Sequence, residues 1–223
     1  MCLAMMGEFM KKIFLLIIMS LFLALGAYAK DIIPVYPSFE GVRTVGLYQV
    51  KDDTTIYKFP DEDAQILHRV RWNSEEFFPD SIGADNFFSV FITKKDLAYV
   101  NVVDIVDGWV EIVYDNSKGL TGWIKEDDPY KFMTWTNFYT TYGKKYGLNI
   151  LKGAPASCRD IKGSPDDMAQ TISTMNMPQK IHLNVIRGNY ALVSVMDMDK
   201  TPKTGYIRWR SDNGVRYFFP AIK

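Results

Sequence analysis

Cys158 and His182 are the pair whose residue types could support nucleophilic catalysis, which needs a thiol, a histidine base and an orienting polar group. Cys158 follows Ala156-Ser157 with no helix start to lower its pKa. His182 stands between Ile181 and Leu183 in an apolar run, and His68 precedes Arg69 in another. These contexts read as a loop thiol and two strand histidines. With Cys2 expected to leave with the N-terminal leader, two histidines and the single cysteine Cys158 are too few for a Cys/His zinc cluster. The acidic groups Asp52-Asp53, Asp61-Glu62-Asp63, Glu126-Asp127-Asp128, Asp166-Asp167 and Asp197/Asp199 read as loop charges, and none has the glycine spacing of a calcium loop. The chain has no Gly-x-Ser-x-Gly elbow and no phosphate loop, and nothing singles out a carboxylate pair for glycoside cleavage. The expectation is a protein that is not an enzyme, with no catalytic residue, no metal and no cofactor.

Aromatic residues offer a different chemistry. Trp109, Trp123, Tyr190, Tyr206 and Trp209 stand at matched or neighbouring places of an internal repeat, and Tyr and Trp dominate binding hot spots because their rings stack on sugars and peptides. Arg208 and Arg210 flank Trp209 and could pair with a carboxylate, as in a peptide stem. The candidate ligand-binding set is therefore Trp109, Trp123, Tyr190, Tyr206, Arg208 and Trp209. The competing reading is that these rings close a small barrel.

Positioning these residues falls to the repeat. Thr121-Gly122-Trp123-Ile124-Lys125 returns as Thr204-Gly205-Tyr206-Ile207-Arg208, each behind a β-rich run: Gly108 to Tyr114 and Asn189 to Val195. Upstream, Pro60-Asp61-Glu62-Asp63-Ala64-Gln65-Ile66 is matched by Pro165-Asp166-Asp167-Met168-Ala169-Gln170-Thr171-Ile172. Two anchors in one order define two copies of a small β module. Pro60 and Pro165 are 105 apart whereas Trp109 and Tyr190 are 81 apart, so the first copy carries 24 extra residues. These coincide largely with residues 73–88, which hold Phe77, Phe78, Phe87 and Phe88. So greasy an insertion predicts rings that cap the module, with a partner-binding flap as the alternative.

The domain plan is a leader over 1–29, an extended segment over 30–43, a first module over 44–131, an aromatic connector over 132–146 and a second module over 147–223. Strands are expected at Val45–Val50, Ile66–Val70, Val90–Ile92, Leu97–Ile105, Trp109–Tyr114 and Gly122–Lys125, then at Leu148–Leu151, Ile181–Ile186, Tyr190–Val195, Gly205–Trp209 and Val215–Phe219. Parity puts Val110, Ile112 and Tyr114 on one face and Trp109, Glu111 and Val113 on the other. Asn116-Ser117-Lys118-Gly119 and Arg187-Gly188-Asn189 read as tight turns, since Asn and Gly accept positive φ. The connector, rich in rings and nearly free of Gly and Pro, reads as a strand or inter-domain filler that fixes the modules' orientation. One helical turn is expected, around Asp166–Met175, with Pro165 ahead of it and two acids at its start.

Met10-Lys11-Lys12, an apolar run from Ile13 to Leu25 and Ala27-Tyr28-Ala29 have the layout of an export signal cut before Lys30. The apolar run is short for a membrane span, so no stable span is expected after cleavage. The 26 basic and 26 acidic residues would lose Lys11, Lys12 and Glu8 with the leader, leaving a charge of about −1 and no basic face for nucleic acid. Cys2 would leave too, so Cys158 could form no intramolecular disulfide and stability must come from packing.

Gly108 to Ile112, a turn, and Thr121 to Lys125 resemble the bacterial SH3-like domain of exported proteins. Asn189 to Val193 with Thr204 to Arg208 is a weaker copy in which Asn replaces Gly and Tyr replaces both Trp. The Pro-Asp loops with Ala-Gln are similar to that family's first variable loop. The resemblance implies an all-β fold of two tandem SH3-like small barrels, the first with an insertion. It also implies a binding or targeting role in the cell envelope, periplasmic or extracellular, with peptidoglycan or an envelope protein as partner. The rival functions are a cell-wall hydrolase or its accessory, and an envelope structural or assembly factor acting through the insertion.

Overall fold

The computed structural model describes residues 31–32, 42–72, 77–79, 82–176, 178–198 and 200–222. The expected leader and most of the expected lead-in lie outside them. Among the described residues no helix is long and apolar enough to cross a membrane.

The fold is all-β, with two antiparallel sheets. The first contains β1 (Gly46–Gln49), β2 (Asp53–Tyr57), β3 (Ile66–Trp72), β4 (Phe77–Pro79), β5 (Val90–Ile92), β6 (Leu97–Val106), β7 (Trp109–Asp115), β8 (Leu120–Lys125) and β9 (Phe132–Thr134). The second contains β10 (Leu148–Ile150), β11 (Asp160–Lys162), β12 (Thr171–Thr174), β13 (Pro178–Arg187), β14 (Tyr190–Asp197), β15 (Pro202–Arg208) and β16 (Phe218–Pro220). The first sheet runs β4-β3-β2-β8-β7-β6-β1-β9 with β5 also on β6, and the second runs β12-β11-β15-β14-β13-β10-β16. Without β4 and β5, which belong to the insertion and its flank, the two orders are the same. Neither ladder closes on itself among the described residues.

The duplication extends to register. Trp109 faces Lys125 and Ile112 faces Gly122, as Tyr190 faces Arg208 and Val193 faces Gly205. The two Pro-Asp loops are also one structure. Asp61 Oδ1 accepts from the Asp63 amide at 2.9 Å and Asp166 Oδ1 from the Met168 amide at 2.8 Å. Such Asp-capped turns compete with helix, so Asp166–Met175 forms no helical turn: the chain bends back and enters β12.

Parity holds along β7 only as far as Ile112. The ladder shifts between Val113 and Asp115, so Val113 is buried and Tyr114 half-buried, opposite to simple alternation. In the hairpin that follows, Gly119 takes φ +66°, while Asn116 keeps negative φ and bonds outward instead. Asn101 Nδ2 donates to its side-chain oxygen at 2.7 Å, and its amide donates to Asn86 O at 2.7 Å.

The connector divides. Phe132–Thr134 is β9, paired with β1, and the following residues are helical: an α-turn over Trp135–Phe138, a π-turn over Tyr139–Gly143 and an α-turn over Lys144–Tyr146. Thr134 caps the start, its Oγ1 accepting from the Asn137 amide at 3.2 Å. Trp135, Phe138, Tyr139 and Tyr142 recur at helical spacing and make one apolar stripe.

That stripe fills a core shared by both modules. Leu47, Val90, Ile92 and Tyr99 of the first sheet pack with the helix and with Leu183, Val193, Ile207, Trp209 and Phe219 of the second module. Alternate residues of the same first-sheet strands, Tyr48, Phe91, Ala98 and Val100, turn to a separate core inside the first module. Phe87 and Phe88 of the insertion enter that second core, with Phe88 stacked on Phe91 at 4.3 Å. They cap the module. Ile32 of the lead-in bridges Phe91.

Candidate functional site

The residues singled out by the repeat fall into three environments. The first is the outer face of the first sheet. Pairing of β2, β7 and β8 sets Tyr57 and Glu111 on either side of Trp123, and Trp109 opposite Lys125. Directly opposed residues project to the same face, so Tyr57, Trp109 and Trp123 share one surface while Ile56, Val110 and Ile124 point into the core. Tyr57 meets Trp109 edge to face with centroids 5.4 Å apart. All three rings are half-buried, seated on the sheet with a side left to solvent. Lys125 and Glu62 pair at the margin.

The second environment is the matching face of the second sheet, where Tyr206 and Tyr190 replace the tryptophans and Lys162 replaces Tyr57. Here the Pro-Asp loop comes down onto the strands. Asp167 accepts hydrogen bonds from the Tyr190 hydroxyl and, at 2.8 Å, from Arg208 Nη1, and its carbonyl accepts from Lys162 Nζ at 2.6 Å. Arg208 gives its other arm to Asp212 at 2.8 Å. Burial, reinforced by the Asp167 bond, pushes the Tyr190 phenol up to about 12. Arg208 is committed to two carboxylates and Tyr190 is buried, leaving Tyr206 as the half-exposed ring of this face.

The third is interior. Trp209 is fully buried, its Nε1 donating to Gly188 O at 3.0 Å and its ring 4.4 Å from that of Tyr139. Buried as it is, it has no surface to offer a ligand. Arg208 and Arg210 do not work as a pair either, because Arg210 bends over Trp209 and donates from Nε to Asn189 Oδ1 at 2.7 Å.

Sequence reasoning did not single out Tyr57. The signal was present: Thr54-Thr55-Ile56-Tyr57 alternates in strand fashion just before the Pro-Asp loop.

Cys158 lies in a 3₁₀ turn over Ala156–Arg159 and is buried, which pushes its thiol up to about 11. His182 is exposed on β13 opposite Ser194, and the His68 ring lies 4.9 Å from that of Tyr114. Among the described residues no three His, Cys, Asp or Glu side chains are grouped to hold a metal ion. Beside β10, which joins β13 only through Leu148 and Ile181, an open cleft of about 580 Å³ is lined by Asn149, Arg159, Asn176, Lys180 and Met198 among others. Its open shape and mixed lining suit a solvated charged segment better than an enclosed small molecule.

No family model matches the chain, and no curated protein matches it.

Proposed function

We propose that this is an exported, non-catalytic binding protein of two SH3-like modules, which recognises a cell-wall peptide or glycan through Tyr57, Trp109 and Trp123. One contrast carries the reading. The second module spends the same face on internal ion pairs, whereas the first keeps three rings side by side and half open. Buried rings serve folding; a row of rings with one side wet is what stacking on a sugar or an extended peptide requires. The raised thiol of Cys158 supports the non-catalytic part, because a nucleophilic cysteine needs a lowered pKa and access.

Pull-down of the chain from Lys30 onward on purified peptidoglycan tests the reading. Enrichment over an unrelated exported protein is expected, together with its loss in the double variant Trp109→Ala, Trp123→Ala. No enrichment overturns it, and capture of an envelope protein in place of wall material would assign the face to that partner. A zymogram separates the hydrolase alternative: clearing that disappears in Cys158→Ser would contradict the non-catalytic reading.

A further inference from the structure

Three arginines converge where the modules meet, away from the aromatic face. Arg210 and Arg216 oppose each other in an antiparallel bridge, so their side chains leave the backbone on one side. The Arg216 guanidinium lies 3.8 Å from the centroid of Trp135 and that of Arg210 lies 4.7 Å from the centroid of Trp209. Tyr139 sits between the two indoles, 6.4 Å from Trp135 and 4.4 Å from Trp209. Arg43 ends the segment that leads into the first module, close enough for its charge to act on Arg210. Its neighbour Thr44 accepts the Trp135 Nε1 hydrogen bond at 3.1 Å.

The charge here is uncompensated. Among the described residues no carboxylate pairs with Arg43, Arg210 or Arg216. Arg216 Nε is buried without a hydrogen-bond partner. Burial opposes the charge of Arg210 and of Arg216, and a neighbouring guanidinium opposes each further. A guanidinium does not escape by losing its proton, and ring stacking offsets desolvation only in part.

We propose that Arg43, Arg210 and Arg216 form an oxyanion-binding site at the junction of the two modules, which takes a carboxylate or a phosphate group. Planar guanidinium forks match either group with paired N–H donors, and the indole walls keep those bonds from competing water. Because Arg43 leads directly into the first module and the other two belong to the second, a bound anion also ties the modules together.

Thermal unfolding of the chain from Lys30 onward in sodium phosphate, sodium acetate and sodium chloride at matched ionic strength tests the site. A saturable rise in Tm with phosphate or acetate above chloride is expected, since a ligand of the native state alone stabilises it. The stronger of the two responses assigns the source as phosphate or carboxylate. Arg216→Gln should abolish the effect. Arg43→Gln, a change at an exposed residue that leaves the core untouched, should weaken the apparent Kd about tenfold, the loss of one charge-assisted hydrogen bond. An equal response to the three salts, or unchanged anion affinity in Arg43→Gln, would overturn the proposal.

Discussion

A Cβ on Gly122 would lie 2.7 Å from Cγ2 of Ile56, too close for any side chain. Gly205 meets Ile161 in the same way, at 2.5 Å. The echoed Thr-Gly-aromatic motif thus has a packing origin: β8 and β15 cross over an isoleucine of the neighbouring strand, and only glycine lets them approach. Gly122→Ala should destabilise by about 1–3 kcal/mol through overpacking, and Gly205→Ala by a similar amount. Thermal melts should show a Tm lower by about 2–4 °C for each kcal/mol in a chain of this size. A wild-type Tm in both variants would refute the packing explanation.

Phe138 joins the halves. It lies 5.8 Å from Tyr99 of the first module and 5.5 Å from Phe219 of the second, measured between ring centroids, and is fully buried. Phe138→Ala should cost about 3–5 kcal/mol. Urea unfolding followed by fluorescence and by far-UV circular dichroism should remain one shared transition at lower midpoint. Loss confined to one module would mean that the common core does not couple them.

Asp127 gives the fold an acid limb. Its carboxylate accepts from the Tyr48 hydroxyl at 2.5 Å and pairs with Lys51 at 2.8 Å and Lys131 at 2.9 Å. Burial pushes Asp127 up, but Lys51, Tyr48 and Lys131 together outweigh it and hold the group well below the usual carboxylate range. A depressed folded-state pKa contributes stability that is complete above the unfolded value of about 3.9 and is lost as pH falls below it toward the folded value. Asp127→Asn should therefore lower Tm at neutral pH and flatten its decline below about pH 4. Parallel wild-type and variant acid profiles would contradict this.

The sequence was most legible where alternation and turn chemistry agreed. Val90–Ile92 matches its expected limits, and β7, β8 and β14 start or end within two residues of theirs. The repeat made two copies of one β module readable before any coordinates, though not their strand order. β2 and β12 went unread because they are short and rich in threonine, and β11 because it is only three residues long. Their strand character comes from partners distant in sequence: Tyr57 finds Trp123, and Lys162 finds Tyr206. The helix after Thr134 was hidden by threonines and rings of modest helix propensity. Its signal was the aromatic spacing, not the composition. For the candidate site, the repeat put Trp109 and Trp123 in one set, and the pairing of β7 with β8 sets them on one face. The repeat could not tell that Trp209 turns inward past the end of β15, or that Asp167 takes up Tyr190 and Arg208, since both depend on tertiary packing.

The most direct measurement is an NMR titration of the tryptophan indole N–H signals with soluble fragments of purified peptidoglycan. Shifts are expected at Trp109 and Trp123, with the buried Trp135 and Trp209 unmoved, and Trp123→Ala should weaken binding about tenfold or more, as for a hot-spot ring. Undisturbed Trp109 and Trp123 signals at saturating fragment, or full affinity in Trp123→Ala, would contradict recognition through this face.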